Sequence, residues 1–66
     1  MRLAVNGTTR DLGDGTTLAE LIEAMAGSTR GSAAIVDDEV VPRSQWPHYP
    51  LRDGQAVELI TAVPGG

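Results

Sequence analysis

The chain contains no cysteine and no lysine, and each absence restricts its chemistry. Without thiols there is no disulfide, no thiolate metal site and no side-chain sulfur nucleophile. All five basic residues are arginines, whose guanidinium groups stay protonated and offer no amine nucleophile. Phenylalanine is absent and there is one tryptophan and one tyrosine, so aliphatic side chains must build the core. The single histidine, His48, sits between Pro47 and Tyr49 in a proline-rich stretch. With no second histidine, cysteine or lysine to complete a nucleophile pair or a metal site, it reads as a solvated loop residue. No apolar run approaches the roughly 20 residues of a membrane span. The apolar start breaks at Asn6-Gly7, too early for a signal-peptide core. These absences predict a soluble, cytoplasmic protein without membrane or metal.

What remains is a chain of 66 residues, 41% hydrophobic and 21% charged, the composition of one small globular domain. A domain of this size buries only about 60% of its unfolded surface, so its stability is narrow. The net charge of −4 argues against nonspecific nucleic-acid binding. It is an ordinary solubility charge, and it also suits a partner with a basic docking surface.

Arg2–Val5 alternates polar and apolar residues and meets Asn6-Gly7, the strongest short hairpin signal. Thr8–Leu12 is the return strand, pairing Val5 with Thr8 and Met1 with Leu12. That register sets Leu3, Val5 and Leu12 on one face and puts Arg10 with them, so Arg10 must lie near an edge. Thr17-Leu18-Ala19-Glu20 fits a capping box, and Leu18, Leu21, Ile22 and Met25 form one face of the helix that follows. Gly27 supplies its stop. Ala33–Val36 reads as a short buried strand, Asp37-Asp38-Glu39 as a turn, and Val40-Val41 as a shorter strand ended by Pro42. The prolines at 42, 47 and 50 exclude regular sheet from 43–50 and limit helix there to a single turn. Asp53-Gly54 is a second tight turn, launching a strand over Gln55–Val63 with Val57 and Leu59 on one face and Glu58 and Ile60 on the other. One helix on one face of a mixed sheet is the natural way to bury a single apolar stripe.

A conventional active site is hard to assemble from these residues. The consecutive spacing of Asp37, Asp38 and Glu39 lacks the alternating ligands of a calcium loop and suits a turn. The glycines at 7, 13, 15 and 54 punctuate turns, and none forms a phosphate loop. Trp46 reads as packing of the irregular 43–50 segment over the sheet. The outward row Glu58, Ile60 and Ala62 is open to two readings, an ordinary exposed strand face or a docking surface.

The end of the chain is more informative. It closes on Ala62-Val63-Pro64-Gly65-Gly66, where Pro64 favours extended geometry at Val63 and directs the tail away from the body. Two terminal glycines have no Cβ and can enter a channel that excludes side chains. The Gly66 carboxylate is therefore the candidate functional group. The expected organisation is a domain over 1–61 and a flexible tail over 62–66.

The Asn6-Gly7 hairpin, the Asp14-Gly15-Thr16-Thr17-Leu18-Ala19-Glu20-Leu21 helix entry, Val40-Val41-Pro42-Arg43-Ser44-Gln45-Trp46, Leu51-Arg52-Asp53-Gly54 and Thr61-Ala62-Val63-Pro64-Gly65-Gly66 together carry a resemblance. The chain resembles the ThiS sulfur carriers of thiamine thiazole biosynthesis, which are ubiquitin-like β-grasp proteins. Val-Pro-Arg-x-x-Trp is the most discriminating part, since terminal Gly-Gly is shared with MoaD-like carriers and ubiquitin-like modifiers. Pro64 departs from the family's usual residue before the glycines.

The resemblance implies an α+β β-grasp fold, a four- or five-stranded mixed sheet on one main helix, with the first and last strands parallel at its centre. It implies that the chain is no enzyme but a covalent sulfur-carrying co-substrate, monomeric when free and holding no cofactor stably. A ThiF-type adenylyltransferase would spend ATP to activate Gly66, a persulfide-bearing donor would supply sulfur, and a ThiG-type thiazole synthase would accept it. Ile60, Ala62, Val63, Pro64 and Gly65 are then the expected partner-binding residues. The alternatives are a MoaD-like carrier for molybdopterin, a ubiquitin-like modifier, or a plain protein-binding module.

Overall fold

Asn6-Gly7 and Asp37-Asp38 reverse the chain through left-handed backbone, with φ of 51° and 81° in the first turn and 49° and 68° in the second. Both are two-residue hairpin turns that demand positive φ at each position, which Gly, Asn and Asp tolerate best. The computed structural model describes residues 1–26 and 32–61. Its elements are β1 (Arg2–Val5), β2 (Thr8–Asp11), α1 (Leu18–Ala26), β3 (Ser32–Val36), β4 (Glu39–Val41), a 3₁₀ helix (Arg43–His48) and β5 (Ala56–Thr61).

The five strands form one sheet in the order β2-β1-β5-β3-β4. β1 and β5 run parallel at its centre, and the remaining neighbours are antiparallel. This is the mixed β-grasp arrangement that the resemblance implies. The first hairpin has the expected register: Val5 faces Thr8, Leu3 faces Arg10, and the Leu12 amide donates to the Met1 carbonyl. Arg10 escapes burial because β2 is an edge strand, exposed throughout.

Thr17 and Glu20 close a reciprocal capping box. The Thr17 amide donates to Glu20 Oε1 at 3.0 Å, and the Glu20 amide donates to Thr17 Oγ1 at 3.2 Å. Two otherwise orphaned amides of the first turn are thereby paired. Thr17→Ala should lower stability by about 1 kcal/mol, read as a shifted urea midpoint with unchanged slope. The segment after the 3₁₀ helix grips the same turn: the Leu18 amide donates to the Tyr49 carbonyl and the Leu51 amide to the Thr16 carbonyl.

Leu18, Leu21 and Ile22 are buried against Leu3, Val5, Ala34, Val36, Val41, Val57, Leu51 and Trp46. Met25, expected on the same face, is 37% exposed. It lies in the final turn of α1, one turn beyond the last buried helix residue.

Two further expectations change. The segment 43–50 exceeds a single turn, because the Arg43–His48 3₁₀ helix accommodates Pro47. A 3₁₀ helix turns every three residues, so this is about two turns. The Trp46 indole anchors it from within, 2% exposed, with Nε1 donating to the Val41 carbonyl at 2.8 Å. Second, β3 is not buried on both faces. Ala34 and Val36 are buried, but Ala33 is exposed and Ile35 half-buried, since α1 covers one face of the sheet only. β5 begins at Ala56 rather than Gln55; its expected end at Val63 and the helix stop at Gly27 lie outside the described residues.

Candidate functional site

β5 is the last described strand, and from it the sequence continues to Gly65-Gly66. On one side it pairs with β3 over five positions, from Val36 opposite Val57 to Ser32 opposite Thr61. On the other it pairs with β1 at Ala4–Ala56 and Val5–Val57. There β1 turns away into its hairpin, and the Asn6 side chain replaces the missing strand. The Asn6 amide donates to the Val57 carbonyl at 2.8 Å, while Asn6 Oδ1 accepts from the Leu59 amide, also at 2.8 Å.

The start of β5 is pinned in the same way. The Asp37 amide donates to the Ala56 carbonyl at 2.8 Å, and Asp37 Oδ1 accepts from the Ala56 amide at 3.0 Å. Asp53 Oδ1 accepts from the Arg2 amide at 2.6 Å, and the Gly54 amide donates to the Arg2 carbonyl. Reading turns as punctuation missed these roles. Asn6 and Asp37 each carry a short polar side chain at the first turn position, which signals such backbone bonding.

Of the predicted partner-binding residues, Ile60 falls among those described. It is 56% exposed on the face of the sheet opposite α1. Ala33 lies opposite it, and Ile35 pairs with Glu58 on one side and Val40 on the other. Val40 is 72% exposed, so Ile60, Ile35, Val40 and Ala33 form an apolar patch across β5, β3 and β4. Ala62, Val63, Pro64, Gly65 and Gly66 lie outside the described residues.

Nothing else among the described residues assembles into catalytic machinery. No cluster of three or more His, Asp or Glu side chains could hold a metal there, and Asp37 is engaged by β5. His48 is exposed on the 3₁₀ helix. An open depression lined by Tyr49, Pro50, Arg52 and Gln55 sits by the opposite end of β5 from the tail. The ion pair with a resolved electrostatic effect is Arg2–Asp11, 3.1 Å apart on the exposed hairpin. Its hydrogen bond and charge hold the Asp11 carboxyl below its ordinary range and raise the Arg2 guanidinium. No described helix is long and apolar enough to cross a membrane.

A five-stranded mixed sheet with parallel central strands, packed by one face on a single helix, defines a ubiquitin-like β-grasp protein. A model of the ThiS family matches residues 3–66, and the chain belongs to that family. It is 37% identical over 62 residues to the sulfur carrier protein ThiS of Thermus thermophilus, covering 94% of this chain and 95% of that one. To the ThiS sulfur carrier protein of Escherichia coli it is 29% identical over the full length of both. The crystal structure of the thiamine biosynthesis protein ThiS from Geobacter metallireducens superposes with a TM-score of 0.80 at 26% identity, covering both chains completely. A solution structure of a thiamine biosynthesis protein from the same organism gives 0.79 at 29% identity, covering all of this chain and 88% of that one.

Proposed function

We propose that this sulfur carrier acts through the Gly66 carboxylate in thiamine thiazole formation. The observation that carries the reading is a central strand, β5, held by β1 at its start and by β3 as far as Thr61, leading into a sequence that closes on Gly65-Gly66. The paired strand gives the end a fixed origin, and the glycines give it a slim approach.

A carboxylate is a poor electrophile until it has a leaving group. A ThiF-type adenylyltransferase supplies one: a Gly66 oxygen attacks the α-phosphorus of ATP, expelling pyrophosphate and leaving an acyl-adenylate. The terminal sulfur of a persulfide donor then displaces AMP, and a thiol cleaves the resulting acyl disulfide to leave a thiocarboxylate. A ThiG-type thiazole synthase takes that sulfur. ATP is consumed by the partner, and the carrier itself retains no cofactor. We place these steps in the cytoplasm with the carrier monomeric between encounters, and assign residues 62–66 as the reactive tail.

The patch around Ile60 suits docking, because an apolar surface on the strand that carries the tail fixes the distance from contact to Gly66. Ile60→Asp should weaken adenylation by about tenfold or more through partner affinity. The melting temperature should shift little, since Ile60 is largely exposed. Steady-state adenylation kinetics across carrier concentrations check this, and an unchanged KM would remove Ile60 from the interface.

The decisive measurement is intact mass after incubation with the adenylyltransferase, ATP and a persulfide donor. One oxygen should be replaced by sulfur, localised to Gly66 by fragmentation. A carrier that stays unmodified beside an adenylyltransferase active on its own carrier overturns the reading. Selective support of molybdopterin synthase over thiazole synthase would instead establish the MoaD-like role.

A further inference from the structure

An activated glycyl carboxyl reacts with whatever amine or thiol it can reach, so a chain that carries one must survive its own nucleophiles. Lysine and cysteine are absent from the whole sequence. The aliphatic amine that remains is the α-amino group of Met1. It donates to the Leu12 carbonyl at 2.8 Å and lies 3.5 Å from Asp14 Oδ1, anchored by a Met1 side chain that is 6% exposed.

The sheet topology places this amine far from the reactive end. β1 and β5 run parallel with Ala4 opposite Ala56, so Met1 stands before the start of one and Thr61 at the finish of the other. Along the strands the two are separated by eight residues of rise, about 26 Å at ~3.3 Å per residue. The five residues from 62 to 66, fully extended, reach at most about 17 Å. The tail is too short to bring Gly66 back to Met1.

We infer that the parallel pairing of the first and last strands, on a body without lysine or cysteine, makes this chain inert toward its own activated end. Slow hydrolysis aside, the acyl group is then surrendered only to nucleophiles that a partner delivers. The inference rests on reading Gly66 as the activated carboxyl. The excluded reaction is aminolysis: the amine nitrogen bonds to the Gly66 carbonyl carbon, the bond to AMP or thiolate breaks with its electron pair, and the amine loses a proton.

The test cleaves the full chain from a C-terminal intein fusion with an aryl thiol, which displaces the intein thiolate and leaves an aryl thioester on Gly66, and follows intact mass at mildly alkaline pH without partner enzymes. At high dilution the expected product is hydrolysed carboxylate, with no ring lacking one water. Glu58→Lys puts an amine on β5 three residues before Thr61, within reach of the tail at millimolar-order effective concentration. Arg52→Lys puts one at the opposite end, close to Arg2, whose carbonyl accepts from the Gly54 amide. Internal amide should accumulate at least about tenfold more in the first variant than in the second. Rings in the unmodified sequence, equal internal amide in both variants, or none in E58K would each overturn the inference. Because the thioester is made chemically, a chain that is inert here yet never takes up sulfur from its partners would overturn the functional reading and leave this one standing.

Discussion

Deleting Gly66 should abolish sulfur loading while leaving the fold intact. One residue fewer draws the carboxylate back by about 3.5 Å along an extended tail. A misplacement of even about 1 Å at a reacting centre costs on the order of a hundredfold in rate, so the deletion should cost at least that. Extension by one alanine after Gly66 should be as damaging, since it moves the carboxylate outward and adds a Cβ to the entering end. The buried cluster of the described residues runs from Leu3 to Val57, and urea midpoints of both variants should match the parent chain. Thiocarboxylate yield after incubation with the activating partner is the readout. An extended chain that loads at the parent rate would show that the terminal carboxylate is not the reacting group.

Trp46→Ala should be the most destabilising single change in the body. The indole is 2% exposed and its Nε1 donates to the Val41 carbonyl at 2.8 Å. Removing a buried aromatic costs about 3–5 kcal/mol. The whole stability of a domain this small is about 3–10 kcal/mol, so the variant should be substantially unfolded at moderate temperature. Trp46→Phe keeps most of the volume but strands the Val41 carbonyl, and should cost about 1–3 kcal/mol. Denaturant titration should rank the parent, Phe and Ala forms in that order. If the Phe form matched the parent, the hydrogen bond would carry no net stability.

These two predictions draw on different layers of information. Thr17 and Glu20 are three residues apart, and their capping box could be read directly from that spacing. Asn6-Gly7 set the register of the first hairpin for a similar reason, since a two-residue loop leaves one pairing. Trp46 was legible as a packing residue, whereas its partner carbonyl and the length of the 3₁₀ helix were not. Three prolines indicated where sheet could not form, but not how the remaining amides would pair. Met25 shows the same limit. Helical period placed it on the apolar face, and only the extent of the core beneath α1 decided that it would be partly exposed.

At the candidate site the division is sharper. Ile60 was recognisable as outward-facing by alternation along β5. The patch it shares with Ile35, Val40 and Ala33 required knowing that β3 lies next to β5 and β4 next to β3. The brace from Asn6 Oδ1 to the Leu59 amide joins residues 53 positions apart, and no local pattern announces it.

By itself, then, the sequence determined the nucleophile inventory, the turns, the helix and the Gly-Gly end, because these depend on residue type and near-neighbour spacing. Tertiary structure decided that the first and last strands run parallel at the sheet centre. Pairing between distant segments depends on how apolar faces are buried together, a property of the whole chain. That choice braces the strand bearing the tail and sets the Met1 amine beyond the reach of Gly66.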